Sequence, residues 1–166
     1  GLQPSSQPED TSTAEPPKLW LLPEQHRLAI KLAASLGEFQ ARRHRATPAR
    51  ATARLLKQIA SAAWTTHASA LVARIEGLVL LGEGDLVRSH TLLKRSVTLL
   101  ERSPILDSSE IAHGQRLLGE VLLARDDRDG AQQALRRASA FYIERARFGG
   151  RAHELEEIQE LRRRAR

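Results

Sequence analysis

Leu118-Gly119-Glu120-Val121-Leu122-Leu123-Ala124-Arg125-Asp126-Asp127-Arg128-Asp129-Gly130-Ala131, continued as far as Tyr142, is the stretch that decides the fold. An apolar run of helical period meets a short acidic turn, and a second amphipathic run begins at once. In that second run Ala131, Ala134, Leu135, Ala138, Phe141 and Tyr142 fall on one helical face. Two helices joined this tightly make a hairpin. The same plan returns from Gly77 to Leu100 and, more faintly, from Leu36 to Leu56. The chain therefore reads as one helical hairpin used three times.

Outward from that centre, helix signals tile the chain. Pro23 suits a first helical position, where its missing N–H would lack a partner anyway. The run behind it carries Leu28, Lys31, Leu32, Leu36 and Phe39 and loses its pattern near Arg42. Thr47-Pro48 reads as a helix start with the hydroxyl as cap. Its buried face is Ala49, Ala53, Leu56, Ile59, Ala60 and Ala63, and a break falls at Trp64-Thr65-Thr66-His67, with one long bent helix as the alternative. A third helix to Leu81 is almost continuously apolar near its end, the mark of a central position. Asp85 caps a fourth helix, which stops at Ser103-Pro104. Asp107-Ser108-Ser109-Glu110 has the form of a capping box, with Glu110 placed to reach back, and starts the fifth. The sixth ends near Phe148-Gly149-Gly150. A seventh, from Arg151 to about Arg164, has a narrow stripe of Leu155, Ile158 and Leu161, acids first and arginines last, as a terminal cap requires. The expectation is an all-α right-handed α-solenoid of about three helical hairpins plus a C-terminal capping helix, about seven helices in all.

Composition narrows the function. The 166 residues suffice for one core-forming domain, residues 19–166. Residues 1–18, rich in Pro, Ser, Thr, Gln and Glu, read as a disordered linker or tail, and Trp20 as a cap over the end of the solenoid. The chain has no Cys, which excludes disulfides, thiolate metal sites and a cysteine nucleophile. It has no Met either, and beginning at Gly1 it reads as a segment of something larger. Arginine far outnumbers lysine and asparagine is absent, a bias that points to a GC-rich bacterial genome. No apolar run is long enough to span a membrane and no signal peptide is visible, so a cytoplasmic location is expected. The net charge of +6 and pI near 10.6 favour acidic partners or nucleic acid.

Three glycines register the hairpins: Gly37, Gly77 and Gly119, spaced 40 and 42 residues apart. Twelve residues beyond each stands a small residue (Ala49, Ser89, Ala131), sixteen beyond an apolar one (Ala53, Leu93, Leu135), and nineteen beyond Leu56, Ser96 or Ala138. Small positions let two helices approach, and larger ones fill the space between hairpins. Leu118-Gly119 with Leu122, Ala131, Leu135 and Ala138 resembles the tetratricopeptide repeat. Gly77 with Leu80, Gly84, Ser89, Leu93 and Ser96 is a fair second copy, and Leu36-Gly37 with Ala49, Ala53 and Leu56 a weak third. The period exceeds the family's usual length of about 34. The chain is thus tetratricopeptide-like over about residues 24–148, in the style of the helical-repeat regions of large multidomain bacterial regulators.

That resemblance implies a scaffold for protein–protein interaction, without catalysis or cofactor. In such arrays the first helix of each hairpin lines a concave groove. Register then places Lys31, Glu38, Arg74, Leu78, His113, Arg116 and Glu120 there. The set leans basic, which suits an acidic or carboxylate-bearing peptide. Without any Asn the chain lacks the carboxylate clamp of the family's chaperone-binding members. The alternatives are that these residues are merely solvated or bury against another domain.

A second candidate is the acid-free interval between Glu38 and Glu76, which holds Arg42, Arg43, Arg45, Arg50, Arg54 and Lys57. It reads as an ordinary solvated face, as a surface for an acidic protein, or as an electrostatic site for nucleic acid or lipid. No aromatic residue is interleaved for base stacking, and no helix-turn-helix or zinc pattern accompanies it. The six histidines never stand three or four apart, so no metal is expected. Asp126 to Gly130 reads as turn and cap rather than a calcium loop. No nucleophile elbow or phosphate-binding loop is present, and no enzyme activity is expected. Self-association through the Trp20 end or the last helix is a further expectation.

Overall fold

The computed structural model describes residues 23–60, 65–105, 107–146 and 152–166. Within them the chain forms seven helices and no strand: α1 (Pro23–Arg42), α2 (Ala46–Ile59), α3 (Thr65–Gly82), α4 (Leu86–Glu101), α5 (Ser108–Ala124), α6 (Arg128–Ala146) and α7 (Ala152–Arg164). Ala60 turns extended after α2, with ψ of 119°, so α2 and α3 are separate helices. The readings of Trp20, Trp64 and the Phe148-Gly149-Gly150 cap lie outside the described residues.

Three hairpins follow from three copies of one turn. His44, Gly84 and Asp126 take left-handed backbone geometry, with φ of 55°, 82° and 60°. Each stands seven residues beyond its registering glycine. Around them the hydrogen bonds are the same. The N–H groups of Arg45, Asp85 and Asp127 donate to the carbonyls of Gln40, Leu80 and Leu122 at 2.9 Å. Those of His44, Gly84 and Asp126 donate to Ala41, Leu81 and Leu123 at 3.0–3.2 Å. This is the Schellman ending, which satisfies the last carbonyls of one helix while reversing the chain. The residue closing each turn is the cap of the next helix. Asp85 accepts from the Arg88 N–H at 3.0 Å and Asp127 from the Gly130 N–H at 2.9 Å. Arg45 stands in the same place with no side-chain cap. The Thr47 hydroxyl, expected to start α2, therefore sits inside the helix and not at its cap.

Every registered position is buried. Ala49, Ser89 and Ala131 are 0% exposed, as are Leu56, Ser96 and Ala138, while Ala53, Leu93 and Leu135 reach 1% at most. The close approach is literal in the second and third hairpins, where a Cβ on Gly77 would lie 2.9 Å from Leu93 Cγ and one on Gly119 2.6 Å from Leu135 Cγ. Ser89 Oγ donates to the Gly77 carbonyl at 2.8 Å across the same contact. Gly37 instead faces Ile75 of the next hairpin, so the first copy uses its glycine between hairpins.

α3 is buried on nearly all sides and packs on α1, α2 and α4. α5 packs closely on α4 and α6, and its backbone comes less near to α3. Long side chains fill that gap. At the C-terminal end α7 covers a cluster of Ala112, Leu135, Ala138, Tyr142 and its own Ile158, with Leu155 and Leu161 partly buried. Gln132 Nε2 donates to the Ala165 carbonyl at 3.1 Å and fixes the end of the chain.

The first helix corrects its sequence reading. Leu28, Leu32, Leu36 and Phe39 are 50–61% exposed, and the buried face is Ile30, Ala34, Gly37 and Ala41. Both faces are apolar. Because α1 approaches α3 closely at Gly37, the contact selects the smaller residues and turns the larger ones outward. None of the described helices is long and apolar enough to cross a membrane.

Candidate binding groove

The first helices of the hairpins, α1, α3 and α5, present side chains to one concave face, and α7 closes its far end. Between them lies a groove of about 540 Å³ lined by Lys31, Glu38, Arg74, His113 and Arg116, with Ser35, Phe39, Arg42, Ser109, Glu110, His153, Glu154 and Glu157 completing the wall. A second hollow of about 520 Å³ shares Arg42, Arg116 and Glu157 and adds Glu120. Six of the seven groove residues expected from register thus come together. Leu78 does not. It is 4% exposed and belongs to the main core, because α3 is covered on the side it occupies.

Arg74 organises the groove floor. Its guanidinium is 2% exposed, and Nη2 lies 2.6 Å from a carboxylate oxygen of Glu38 on α1 and 2.6 Å from one of Glu110 on α5. Nη1 also donates to the Glu110 carbonyl at 3.4 Å. One residue of the middle hairpin is therefore bonded to both neighbours. Burying a cation costs several kcal/mol unless partners surround it. Here burial alone would lower the arginine's pKa, but the two carboxylates outweigh it and the pKa is raised. Burial likewise pushes Glu38 up, and Arg74 together with the His113 hydrogen bond more than reverses this, holding Glu38 at about 2. Two carboxylates against one guanidinium leave a negative charge over, and His113 Nε2 stands 2.7 Å from the second oxygen of Glu38.

Glu110 is thus not the returning arm of a capping box. The carboxylate of Asp107 alone accepts the N–H groups of Ser109 and Glu110, at 3.1 and 3.4 Å, and the Ser109 hydroxyl as well. Burial would raise the Asp107 pKa, yet the Ser109 hydroxyl and Lys31, 2.9 Å away on α1, hold it at about 2. Glu110 is freed to face Arg74.

Further along, Glu120 takes Arg42 at 3.2 Å and Arg116 at 2.9 Å, and Arg116 also meets Glu157 of α7 at 3.3 Å. The groove holds as many carboxylates (Glu38, Glu110, Glu154, Glu157) as cations (Lys31, Arg42, Arg74, Arg116). The basic lean expected from three helices disappears once α7 contributes its acids. The signal available was the acidic first half of that helix, which its dipole explained equally well.

Several members of the basic interval are paired with acids. Arg42 turns into the groove, Arg50 pairs with Glu83 at 3.0 Å, and Lys57 lies 4.0 Å from Glu76. Arg43 rests over the Phe39 ring at 5.4 Å. Arg45 and Arg54 are exposed. Partnered surface arginines offer less to a phosphate backbone than the sequence count implies. Among the described residues no group of His, Asp and Glu is arranged to hold a metal ion. The chain matches no protein-family profile, and no curated protein or solved structure matches it.

Proposed function

We propose that the chain is a tetratricopeptide-like, non-catalytic interaction module of a larger bacterial regulatory or assembly protein, and that its concave groove receives a segment of a partner protein. The observation that carries this reading is the ion-pair network on the groove floor. Lys31, Glu38, Arg42, Arg74, Arg116 and Glu120 are each fixed by a partner on another helix or another turn. Side chains already held in place lose little freedom when a ligand arrives, which raises affinity for a given contact area. Equal numbers of opposite charges favour a segment that brings polar groups of both signs. Phe39, half-exposed at the rim, offers an apolar anchor.

Selection from a random peptide library displayed on phage tests the groove. Enriched peptides, made as fluorescent probes, are expected to bind at least tenfold more weakly to His113→Ala and Glu157→Lys, and equally well to Arg54→Glu on the outer face. Arg74 and Arg116 are unsuitable for this test, since both are buried and their replacement would disturb the fold. A selection that enriches nothing, or peptides indifferent to the groove changes, would overturn the proposal.

A further inference from the structure

α1 is the end helix of the described array, and among the described residues nothing covers its apolar outer face. Leu28, Leu32, Leu36 and Phe39 are 59, 61, 50 and 55% exposed. α2 and α3 occupy the opposite side, through Ile30, Ala34, Gly37 and Ala41. Along the outer face Leu28, Leu32, Ser35 and Phe39 succeed one another at intervals of four, three and four, the seam spacing of a two-helix coiled coil. Leu36 flanks that seam.

The face is also complementary to itself reversed. Exposed Glu24 stands at its start, and exposed Arg43, over the Phe39 ring, at its end. Turn one copy about a two-fold axis passing between Ala33 and Ala34. Leu28 then falls opposite Phe39, Leu32 opposite Ser35, and Glu24 opposite Arg43, each twice. We infer that α1 pairs antiparallel with α1 of a second copy of this chain, through the Leu28–Phe39 seam and two Glu24–Arg43 end pairs. An interface of this kind is isologous, so every contact counts double. A second copy supplies the matching leucines together with the base and the acid for Glu24 and Arg43. The seam is about 16 Å long at the helical rise. At the roughly 10 Å width of a helix such a seam covers on the order of 200 Å², less than the roughly 800 Å² per partner of a standard interface. The dimer therefore exchanges with monomer and forms by mass action. The seam shares Ser35 and Phe39 with the rim of the groove, so pairing competes with a groove ligand that reaches Phe39.

Sedimentation velocity of the full chain over a dilution series tests this. The mass is expected to pass from one copy to two as concentration rises. Leu32→Glu, at a position open enough to leave the helix intact by circular dichroism, should move that transition to at least tenfold higher concentration. Glu24→Arg and Arg43→Glu should each weaken association, and the two together should restore it. A monomer at every concentration overturns the inference, as does a dimer indifferent to Leu32→Glu. Failure of the paired charge swap to restore association overturns the antiparallel arrangement. Should the wild type stay monomeric while Leu32→Glu lowers its melting temperature, the stripe is covered from within one chain and the inference falls.

Discussion

At the scale of single residues, the three turns differ in only one chemical respect that matters. Asp85 and Asp127 cap α4 and α6, while Arg45 leaves the start of α2 without a side-chain acceptor. Arg45→Asp should supply the missing cap and raise stability by about 1 kcal/mol in urea denaturation, and Asp85→Ala should lose a similar amount. Glu38 gives a pH prediction whose sign is fixed. Its pKa is about 2 in the folded chain against an ordinary value of 4.5. The stabilisation is therefore complete above pH 4.5 and disappears as the pH falls towards 2. It amounts to something on the order of 3 kcal/mol. Denaturation of Glu38→Gln across that window should show a flatter acid limb than the wild type; parallel curves would mean that the triad does not govern acid stability.

At the scale of helices, the registering glycines should respond unequally. A methyl on Gly119 would strike the branch point of Leu135, with Cγ at 2.6 Å and Cδ2 at 2.7 Å. Gly119→Ala should cost about 1–3 kcal/mol through overpacking, despite the gain of about 1 kcal/mol in helix propensity. At Gly37 the nearest atom is the tip of Ile75, which can swing aside. Gly37→Ala should come out close to neutral by thermal denaturation. The helices, the register and the buried small residues were all legible in the sequence, because glycine and alanine at fixed spacing report close approach directly. The outward face of α1 was not. Periodicity weighs leucine above alanine, whereas packing against α3 favoured the smaller side. Nor was the role of Glu110 legible. An acid three residues after a capping Asp can bend back or point forward, and Arg74, 36 residues earlier in the chain, decides which. Of the residues that register assigned to the groove, all but Leu78 line it or the hollow beside it. The contribution of α7 was missed because no local signal says which side of an array its last helix will cover.

At the scale of the molecule, the core divides. One apolar cluster joins α1 to α4 with Leu117 and Val121 of α5, and a second joins α5, α6 and α7. Removing residues 152–166 uncovers the second cluster, and a smaller one of Leu122, Ala131 and Ala134 that Ala165 covers, but not the first. Amide exchange in the truncated chain should rise in α5 and α6 and leave α3 protected, as expected of arrays whose units contact only their neighbours. If protection were lost uniformly, the array would be one cooperative block. Arg74→Met should cost about 3–5 kcal/mol, because the largely buried Glu38 and Glu110 would lose their cation. The same residue has a mechanical side. The backbones of α3 and α5 approach each other little, and Arg74 is bonded to carboxylates on both α1 and α5. Arg74 thus ties the bend of the array to the reach of a guanidinium, alongside the apolar contacts of Leu117 and Val121. Energy transfer between dyes placed at Thr47→Cys and Ala124→Cys, in a chain otherwise without cysteine, should report a longer and broader separation in the Arg74→Met protein, the behaviour of a spring whose latch has been released.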